Sequence, residues 1–210
     1  MNILLIGSGA REHAIAKAVA KSPQKTQLFC LSNAVNPGID VLCSHYEIGS
    51  VTDVQSIVSY AEEKQINLAI IGPEAPLEVG VADSLKERGI FSVGPTKNHA
   101  QLETSKGFTR DLLEKYNIPG NPFFKRFTTM NGVQDTLNAW SEKFVIKADG
   151  LCGGKGVVIW GDHFDKMEQA YKHCQELVNA KKEFVIEEKI NGQEFSVSYT
   201  HLTLPTNREV

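Results

Sequence analysis

The stretch "FVIKADGLCGGKGVVI", Phe144 to Ile159, places a glycine-rich loop between two apolar runs. The loop holds four glycines and one lysine within the eight positions 149–156. A Walker A loop would need a serine or threonine directly after the lysine, and a helix after that. Gly156 follows Lys155 instead, and the next apolar run is typical of a strand. The stretch therefore predicts a hairpin of two antiparallel strands joined by a flexible loop.

Nucleotide phosphates are the ligand that this loop suits best. Glycines let backbone N–H groups approach a phosphate closely, and they allow the loop to close over it. Lys147 on the strand leading in and Lys155 inside the loop each add a point charge. The alternative is a flexible surface hairpin without a ligand, and the lysines and glycines together favour nucleotide binding.

The segments around the hairpin predict a domain of mixed strands and helices. Residues 129–140 and 163–180 have helical patterns, and residues 184–187 form an apolar run that predicts a strand. Upstream, the tripeptide "NIP" at 117–119 ends a helix and marks the border of this domain.

The N-terminal half alternates short apolar runs with helical patterns. The runs at 2–6, 28–31, 68–71 and 90–93 predict strands, and intervening segments such as 11–21 and 79–88 predict helices. Repeated βα units of this size form a doubly wound parallel sheet. Ligands of such sheets bind at the carboxyl ends of the strands.

The loop "GSGAREH", Gly7 to His13, follows the first strand. A dinucleotide fingerprint would need a small residue at position 12, where Glu12 stands. A glycine turn that leads into a helix N-terminus, with Arg11 as a bidentate donor, suits a phosphate monoester. A plain strand-to-helix turn with a surface arginine and a capping glutamate is an equally good interpretation.

The loop "GPEAPLEVG", Gly72 to Gly80, follows the strand at 68–71. Its two prolines stiffen the backbone around Glu74, whose carboxylate is able to accept hydrogen bonds from sugar hydroxyls or an amine. Taken alone, the loop is more typical of a proline-rich turn.

Composition favours an enzyme of the cytoplasm over other classes of protein. The 210 residues carry a net charge of −3, with no long run of one sign, which argues against nucleic acid and anionic lipid as partners. No apolar stretch approaches the roughly 20 residues of a membrane span, and the N-terminus begins a strand pattern rather than a signal peptide. The four cysteines are scattered and predict reduced thiols.

Five motifs in order resemble the phosphoribosylamine-glycine ligase family of the ATP-grasp superfamily. They are "GSGAREHAIA" (7–16), "IGPEAPL" (71–77), "GPTKNHAQLETSKGFTRDLL" (94–113), "FVIKADGLCGGKGVVI" (144–159) and "FVIEEKINGQEFSV" (184–197). The resemblance implies an α/β chain: a doubly wound, parallel pre-ATP-grasp domain over 1–102, then a truncated ATP-grasp domain with antiparallel strands over 103–197. The residues from 198 to 210 look like a translated sequencing-library adapter, and we expect them to be a foreign tail.

The family's reaction joins glycine to 5-phosphoribosylamine with ATP, through a glycyl phosphate, in purine biosynthesis. The resemblance implies ATP and Mg²⁺ (or Mn²⁺) as cofactors, small molecules as the partners, and a cytoplasmic monomer. Two alternatives are a sister ATP-grasp ligase or biotin carboxylase-like enzyme, and an NAD-binding Rossmann protein. The combination of "GAREH" with "GPEAPL" argues against the first, and Glu12 argues against the second.

Residue roles follow from the resemblance by position. Lys147 and Lys155 are expected at the reacting phosphates, and the substrate pocket is expected to contain Gly9, Arg11, Glu12, His13 and Glu74. The residues expected to bind ATP are Lys106 and Lys147 at the phosphates, Gly153, Gly154, Lys155 and Gly156 in the lid, Glu187, Glu188, Lys189 and Ile190 in an inter-strand linker along the adenine edge, and Glu194 at the ribose hydroxyls.

Three departures from the family pattern affect these expectations. Ala10 replaces a second glycine, and "LSNAVNPGID" (31–40) replaces the usual loop after the second strand, so the resemblance leaves substrate contacts from Asn33 to Gly38 open. The family also continues for about as many residues again, with the magnesium ligands in that part. We therefore expect no metal ligand and no activity in the 210 residues alone.

Overall fold

The computed structural model describes residues 1–141, 143–153 and 155–193, and divides the chain into two compact units. The first contains Met1–Pro119 together with Asp149–Gly156, and the second contains Gly120–Ala148 and the chain from Val157 onward. The strands are β1 (Asn2–Ile6), β2 (Gln27–Ser32), β3 (His45–Ile48), β4 (Leu68–Ile71), β5 (Phe91–Val93), β6 (Phe124–Phe127), β7 (Phe144–Ala148), β8 (Val157–Ile159) and β9 (Phe184–Glu188). The helices are α1 (Ala10–Ala20), α2 (Pro37–Asp40), α3 (Val54–Glu63), α4 (Ala75–Glu78), α5 (Val81–Glu87), α6 (Lys97–Thr104), α7 (Lys106–Lys115), α8 (Val133–Trp140) and α9 (Met167–Asn179).

The first unit is built on a parallel sheet of five strands in the order β3-β2-β1-β4-β5. Successive side chains of β1 point to opposite faces, so Leu4 and Ile6 belong to one buried cluster while Ile3 and Leu5 belong to another. Both clusters include helical residues, which shows that helices cover both faces of the sheet. The predicted parallel sheet is confirmed.

Three short elements of the first unit were absent from the sequence prediction. Strand β3 is an edge strand that lacks a continuous apolar run, and its residues are half-buried or exposed. Helices α2 and α4 have four residues each and begin at prolines or just before them. Proline favours the first turn of a helix, so Glu74 lies at the N-cap of α4 rather than within an irregular stiff loop.

The second unit is built on an antiparallel sheet of four strands in the order β6-β9-β7-β8. The hairpin predicted around the glycine loop is confirmed, because β7 pairs with β8 in antiparallel register from Val145↔Ile159 to Lys147↔Val157. The four side chains that form the centre of this sheet are fully buried: Phe144, Ile146, Phe184 and Ile186.

Several predictions fall on residues outside the part of the chain that the structure describes. These are the lid residue Gly154, the ribose ligand Glu194 and the foreign tail from 198 to 210. The boundary between domains at residue 103 also stays a prediction. Within the described residues, no helix has the length and apolar character that a membrane crossing requires.

Candidate functional site

The loops that carry the predicted substrate residues leave the parallel sheet at one edge. The register aligns Ile6 of β1 with Leu31 of β2 and with Ile71 of β4. The loops after these three strands therefore start side by side, at their carboxyl ends. Asn36 connects two of them, since its Nδ2 donates a 2.8 Å hydrogen bond to the carbonyl of Ser8.

Arg11 and Glu74 form an ion pair across these loops. A guanidinium nitrogen of Arg11 donates to Oε1 of Glu74 at 3.0 Å, and the two side chains are 68% and 32% exposed. The backbone N–H of Glu74 and the arginine hold the pKa of the Glu74 carboxyl below its usual range, so this group is ionised at neutral pH. An ion pair this exposed adds little to stability. It does keep both charged groups at the surface of the loops.

Glu12 lies beneath these loops and is 4% exposed. One carboxylate oxygen accepts a hydrogen bond from the N–H of Gly9, the N-cap of α1. Gly9 has no side chain to cap the first turn of the helix in return, and among the described residues no other side chain caps it. The start of α1 therefore presents backbone N–H groups and Arg11 on the outside, with the Glu12 carboxylate on the inside.

His13 lies against the loop that follows β2. A Cβ added to Gly38 would come within 2.5 Å of His13 Nε2, so the imidazole occupies the space that a side chain at this position would need. Asn36 caps α2 by accepting from the N–H of Gly38. These contacts bring the divergent segment from Asn33 to Gly38 next to a predicted substrate residue.

A cavity of about 270 Å³ opens beside Glu74 in the first unit. It has an apolar lining with three titratable side chains, and its lining residues are Glu74, Leu77, Pro95, His99, Ala100, Leu102, Glu103 and Thr104. A larger cavity of about 600 Å³ lies along β3 and α3. It contains none of the predicted site residues, so the smaller cavity is the one associated with the candidate site.

The glycine loop is held in the first unit by Asp149, a residue that sequence reasoning missed. The Asp149 carboxylate accepts from the N–H of Lys106 at 2.5 Å and from Ser105 Oγ at 2.8 Å, and so caps the start of α7. Lys106 Nζ donates to the carbonyl of Gly150 at 2.9 Å. The capping partner is 43 positions away from the helix in sequence, and no local motif could have revealed it.

The glycine loop has a backbone conformation that favours glycine at two positions. Gly150 and Gly153 have φ values of +87° and +55°, a region that other residues rarely occupy. The N–H of Lys155 donates to the carbonyl of Cys152, which closes a turn at 3.0 Å. The side chain of Lys155 is exposed and has no hydrogen-bond partner within the described residues, so its ammonium group is available to a ligand.

Lys147 and Glu187 form a buried ion pair in the second unit. Lys147 Nζ lies 2.6 Å from Glu187 Oε2, and the side chains are 24% and 3% exposed. A buried carboxylate needs such a cation, because removing either partner leaves a desolvated charge. The resemblance predicted a backbone role for Glu187; its side chain in addition fixes the ammonium group of Lys147.

The inter-strand linker predicted from Glu187 begins later than expected, because β9 continues to Glu188. The N–H of Glu188 donates to the carbonyl of Phe123, and the N–H of Lys189 donates to that of Lys143. Lys189 Nζ is also bound, to the carbonyl of Trp160 at 2.8 Å. Within the described residues, Ile190 is the predicted linker position whose N–H lacks a hydrogen-bond partner.

The described residues do not fit a metal site. None of their His, Cys, Asp and Glu side chains form a group of three or more that could hold an ion. Carboxylate oxygens are the ligands that Mg²⁺ prefers. The carboxylates of Glu74, Asp149 and Glu187 are instead paired with Arg11, the α7 N-terminus and Lys147.

Two family models match consecutive parts of the chain. The model described as phosphoribosylglycinamide synthetase, N domain, matches residues 1–103. The model described as phosphoribosylglycinamide synthetase, ATP-grasp (A) domain, matches residues 104–203. Together they account for nearly all of the 210 residues.

Curated relatives with one shared name match the same region. The phosphoribosylamine--glycine ligase of Methanococcoides burtonii is 42% identical over 197 residues, which cover 94% of this chain and 45% of that protein. The protein of the same name from Methanosphaera stadtmanae is 40% identical over 201 residues, again with 94% and 45% covered. The chain thus spans about half the length of the curated relatives it matches.

Solved structures share the fold. The crystal structure of phosphoribosylamine--glycine ligase from Thermotoga maritima matches with a TM-score of 0.71 and 26% identity, over 94% of this chain and 46% of that one. D-alanine--D-alanine ligase from Bacillus anthracis, complexed with ATP, matches with a TM-score of 0.63 and 16% identity, over 100% of this chain and 70% of that one. The second likeness shows the fold alone.

Proposed function

The chain belongs to the phosphoribosylglycinamide synthetase family, and on this premise we propose that the whole protein joins glycine to 5-phosphoribosylamine with the conversion of ATP to ADP and phosphate. The observation that carries the choice of substrate is the convergence of the loops after β1, β2 and β4 around Arg11 and Glu74. A guanidinium beside uncapped helix N–H groups suits a sugar phosphate, and a carboxylate suits hydroxyls or an amine.

The proposed chemistry proceeds in two steps because a carboxylate is a poor acyl donor. A carboxylate oxygen of glycine attacks the γ-phosphorus of ATP, the bond from that phosphorus to the bridging oxygen breaks, and ADP leaves. The amine of phosphoribosylamine then attacks the carbonyl carbon of glycyl phosphate, and inorganic phosphate leaves as the amine loses a proton. Such phosphoryl transfer depends on positioning and on neutralising charge more than on a nucleophilic side chain.

The family resemblance is the ground on which we propose Lys106, Lys147 and Lys155 as the cations at the phosphates of ATP, and the surroundings of each are as follows. Lys147 in the second unit is held by Glu187 at 2.6 Å, which fixes the position of its ammonium group. In the first unit, Lys106 is bound to the carbonyl of Gly150, and Lys155 lies in the glycine loop. The lid is proposed to comprise Gly153 to Gly156, with backbone N–H groups directed at phosphate oxygens.

We assign the adenine edge to the backbone that follows β9. The N–H of Ile190 is left without a partner by the described residues, whereas those of Glu188 and Lys189 are already bonded. Glu194 stays the proposed ribose ligand from the family resemblance alone. Mg²⁺ (or Mn²⁺) is likewise implied by the family; the described residues give it no ligand set, and no step above depends on it.

The substrate pocket is proposed to contain Gly9, Arg11, His13 and Glu74. The structure supports this assignment because it brings the two charged side chains to 3.0 Å and places the His13 ring against the neighbouring loop. We further propose that the protein acts in the cytoplasm, where the thiols of Cys30, Cys43, Cys152 and Cys174 stay reduced. That it is a monomer is implied by the family resemblance alone.

The proposed function is tested by release of ADP from ATP with the whole gene product. We expect ADP formation to require both glycine and phosphoribosylamine, and the product to be 5-phosphoribosylglycinamide. ADP release that does not depend on the ribosylamine would refute the proposed substrate. The 210 residues alone are expected to show no glycine-dependent turnover, because they span less than half of the relatives' length.

Substituting Arg11 by alanine is expected to raise KM for phosphoribosylamine by about 10- to 100-fold, because the phosphate loses a charged bidentate donor. The KM for ATP and the midpoint of thermal unfolding are expected to change little, since the ion pair with Glu74 is largely exposed. Steady-state kinetics with each substrate varied in turn gives these values.

Arg88→Ala is the matched control for this prediction. Arg88 forms a 2.8 Å ion pair with Glu62 in the same unit, and its side chain is 50% exposed. This variant should leave both KM values unchanged. Equal effects of the two substitutions on KM for phosphoribosylamine would contradict the assignment of Arg11.

A further inference from the structure

Glu12 is a buried carboxylate wedged between two loops of the proposed substrate pocket. Its side chain is 4% exposed and contacts glycines on both sides. A Cβ added to Gly9 would lie 2.6 Å from Oε2, and a Cβ added to Gly72 would lie 2.1 Å from Oε1. Real Cβ contacts are essentially never this short, so a side chain at either glycine would have to displace the glutamate that fills the space between the loops.

The two carboxylate oxygens of Glu12 have different surroundings. Oε2 accepts from the N–H of Gly9, whereas Oε1 is buried without a hydrogen-bond partner in the described part of the chain. The two residues after β4 do not supply a donor to Oε1, since the N–H of Gly72 is bonded to the carbonyl of Ile6 and Pro73 has no N–H. An unsatisfied buried oxygen destabilises a fold, so stability alone does not explain this carboxylate.

We infer that Glu12 is a positioning residue for phosphoribosylamine: it fixes the spacing of the loops that carry Arg11 and Glu74, and it does not touch the substrate. This inference rests on the proposed function for its substrate, and on the contacts above for its geometry. Arg11 directly precedes Glu12 on α1, and Glu74 is two residues after Gly72. A displacement of either loop would therefore separate the two side chains that are proposed to bind the substrate.

Substituting Glu12 by glutamine distinguishes a positioning role from direct contact of the carboxylate with the substrate. The side-chain carbonyl of glutamine can accept from Gly9, and its shape fills the same space, but it carries no charge. With the whole protein, Glu12→Gln should keep KM for phosphoribosylamine within about 3-fold of wild type, whereas Glu12→Ala should raise it by about 10-fold or more with KM for ATP unchanged. If Glu12→Gln is as defective as Glu12→Ala, the carboxylate charge itself meets the substrate and the inference is wrong.

A second variant tests the contact without relying on activity. Gly72→Ala places a methyl group against Oε1 and should lower the unfolding midpoint by about 5 °C. In the Glu12→Ala background the same substitution should cost far less, because the obstructing carboxylate is gone. Gly49→Ala is the matched control, as nothing lies within 4 Å of a Cβ there. Additive effects of Gly72→Ala and Glu12→Ala would overturn the inference.

Amide hydrogen exchange at Gly9 completes the test. It distinguishes a failure of the proposed function from a failure of the positioning role of Glu12. Protection of this amide should persist in Glu12→Gln and fall by about 10-fold or more in Glu12→Ala. If the whole protein does not use phosphoribosylamine, the proposed function fails, while exchange at Gly9 and the cycle with Gly72 still decide whether Glu12 holds the loops. Unchanged protection in Glu12→Ala, or unchanged KM in both Glu12 variants, would overturn the positioning role.

Discussion

Replacing Lys147 by methionine in the whole protein is expected to lower glycine-dependent turnover by at least about 100-fold, because the reaction loses a fixed cation at the transferred phosphoryl group. Glu187 holds the Lys147 ammonium at 2.6 Å. Because the ion pair holds the ammonium group in place, the cation need not be repositioned during the reaction. Single-turnover measurements of ADP formation would report the loss directly.

The same substitution is expected to reduce the free energy of unfolding by about 3 kcal/mol, at the lower end of the range for breaking a buried ion pair. The lower end applies because the Lys147 side chain is 24% exposed, although that of Glu187 is only 3% exposed. Chemical denaturation of the variant and of wild type gives this difference.

A double variant separates the loss of stability from the loss of activity. Lys147→Met combined with Glu187→Met replaces the ion pair with apolar side chains, which should restore most of the stability and none of the turnover. Arg126→Met is the matched control, since its ion pair with Glu183 in the same unit is 36% and 49% exposed. Turnover by Lys147→Met within about 3-fold of wild type would contradict the assignment of Lys147.

Replacing Asp149 by alanine is expected to destabilise the first unit by about 1–2 kcal/mol and to raise KM for ATP by about 10-fold. The carboxylate caps α7 at Lys106 and connects that helix to the glycine loop. Without it, the N–H groups of Lys106 and Gly107 lose their acceptor, while that of Phe108 keeps Ser105 Oγ, and the loop loses an attachment. Thermal unfolding and ATP kinetics measure the two effects.

Asp53→Ala is the control for the capping contribution of Asp149. Asp53 is the N-cap of α3 in the same unit, and it accepts from the N–H and the Oγ of Ser56 at 3.0 and 2.7 Å. Its substitution should cost similar stability and leave KM for ATP unchanged. If both variants raise KM for ATP equally, Asp149 has a general structural role rather than a role in the loop.

The sequence predicted the two sheets of this chain correctly, but it did not predict short elements such as strand β3. The glycine loop between apolar runs was enough to predict the β7–β8 hairpin, because Gly156 after Lys155 excludes a P-loop. Strand β3 escaped prediction because an edge strand with half-buried residues has no continuous apolar run. The parallel sheet was predictable from its other strands, because each of them contains a short apolar run.

The sequence identified most residues of the candidate site, but it did not predict which of them contact each other. Arg11 and Glu74, 63 positions apart, were both identified from their loops, yet their ion pair follows from the alignment of β1 with β4. Glu12 was expected in the substrate pocket, and its burial depends on glycines in a distant loop. Asp149 had no local signal because its partners Ser105 and Lys106 are 44 and 43 positions away in sequence. Contacts between segments far apart in sequence are therefore what the structure adds.

The transfer of oxygen from glycine to phosphate tests the proposed reaction most directly. The whole protein would be given ATP, phosphoribosylamine and glycine labelled with oxygen-18 in its carboxylate, and the inorganic phosphate would be analysed by mass spectrometry. An acyl phosphate intermediate leaves one glycine oxygen on phosphorus when the amine displaces phosphate. We therefore predict that each inorganic phosphate carries one labelled oxygen, and inorganic phosphate without label would contradict the proposal.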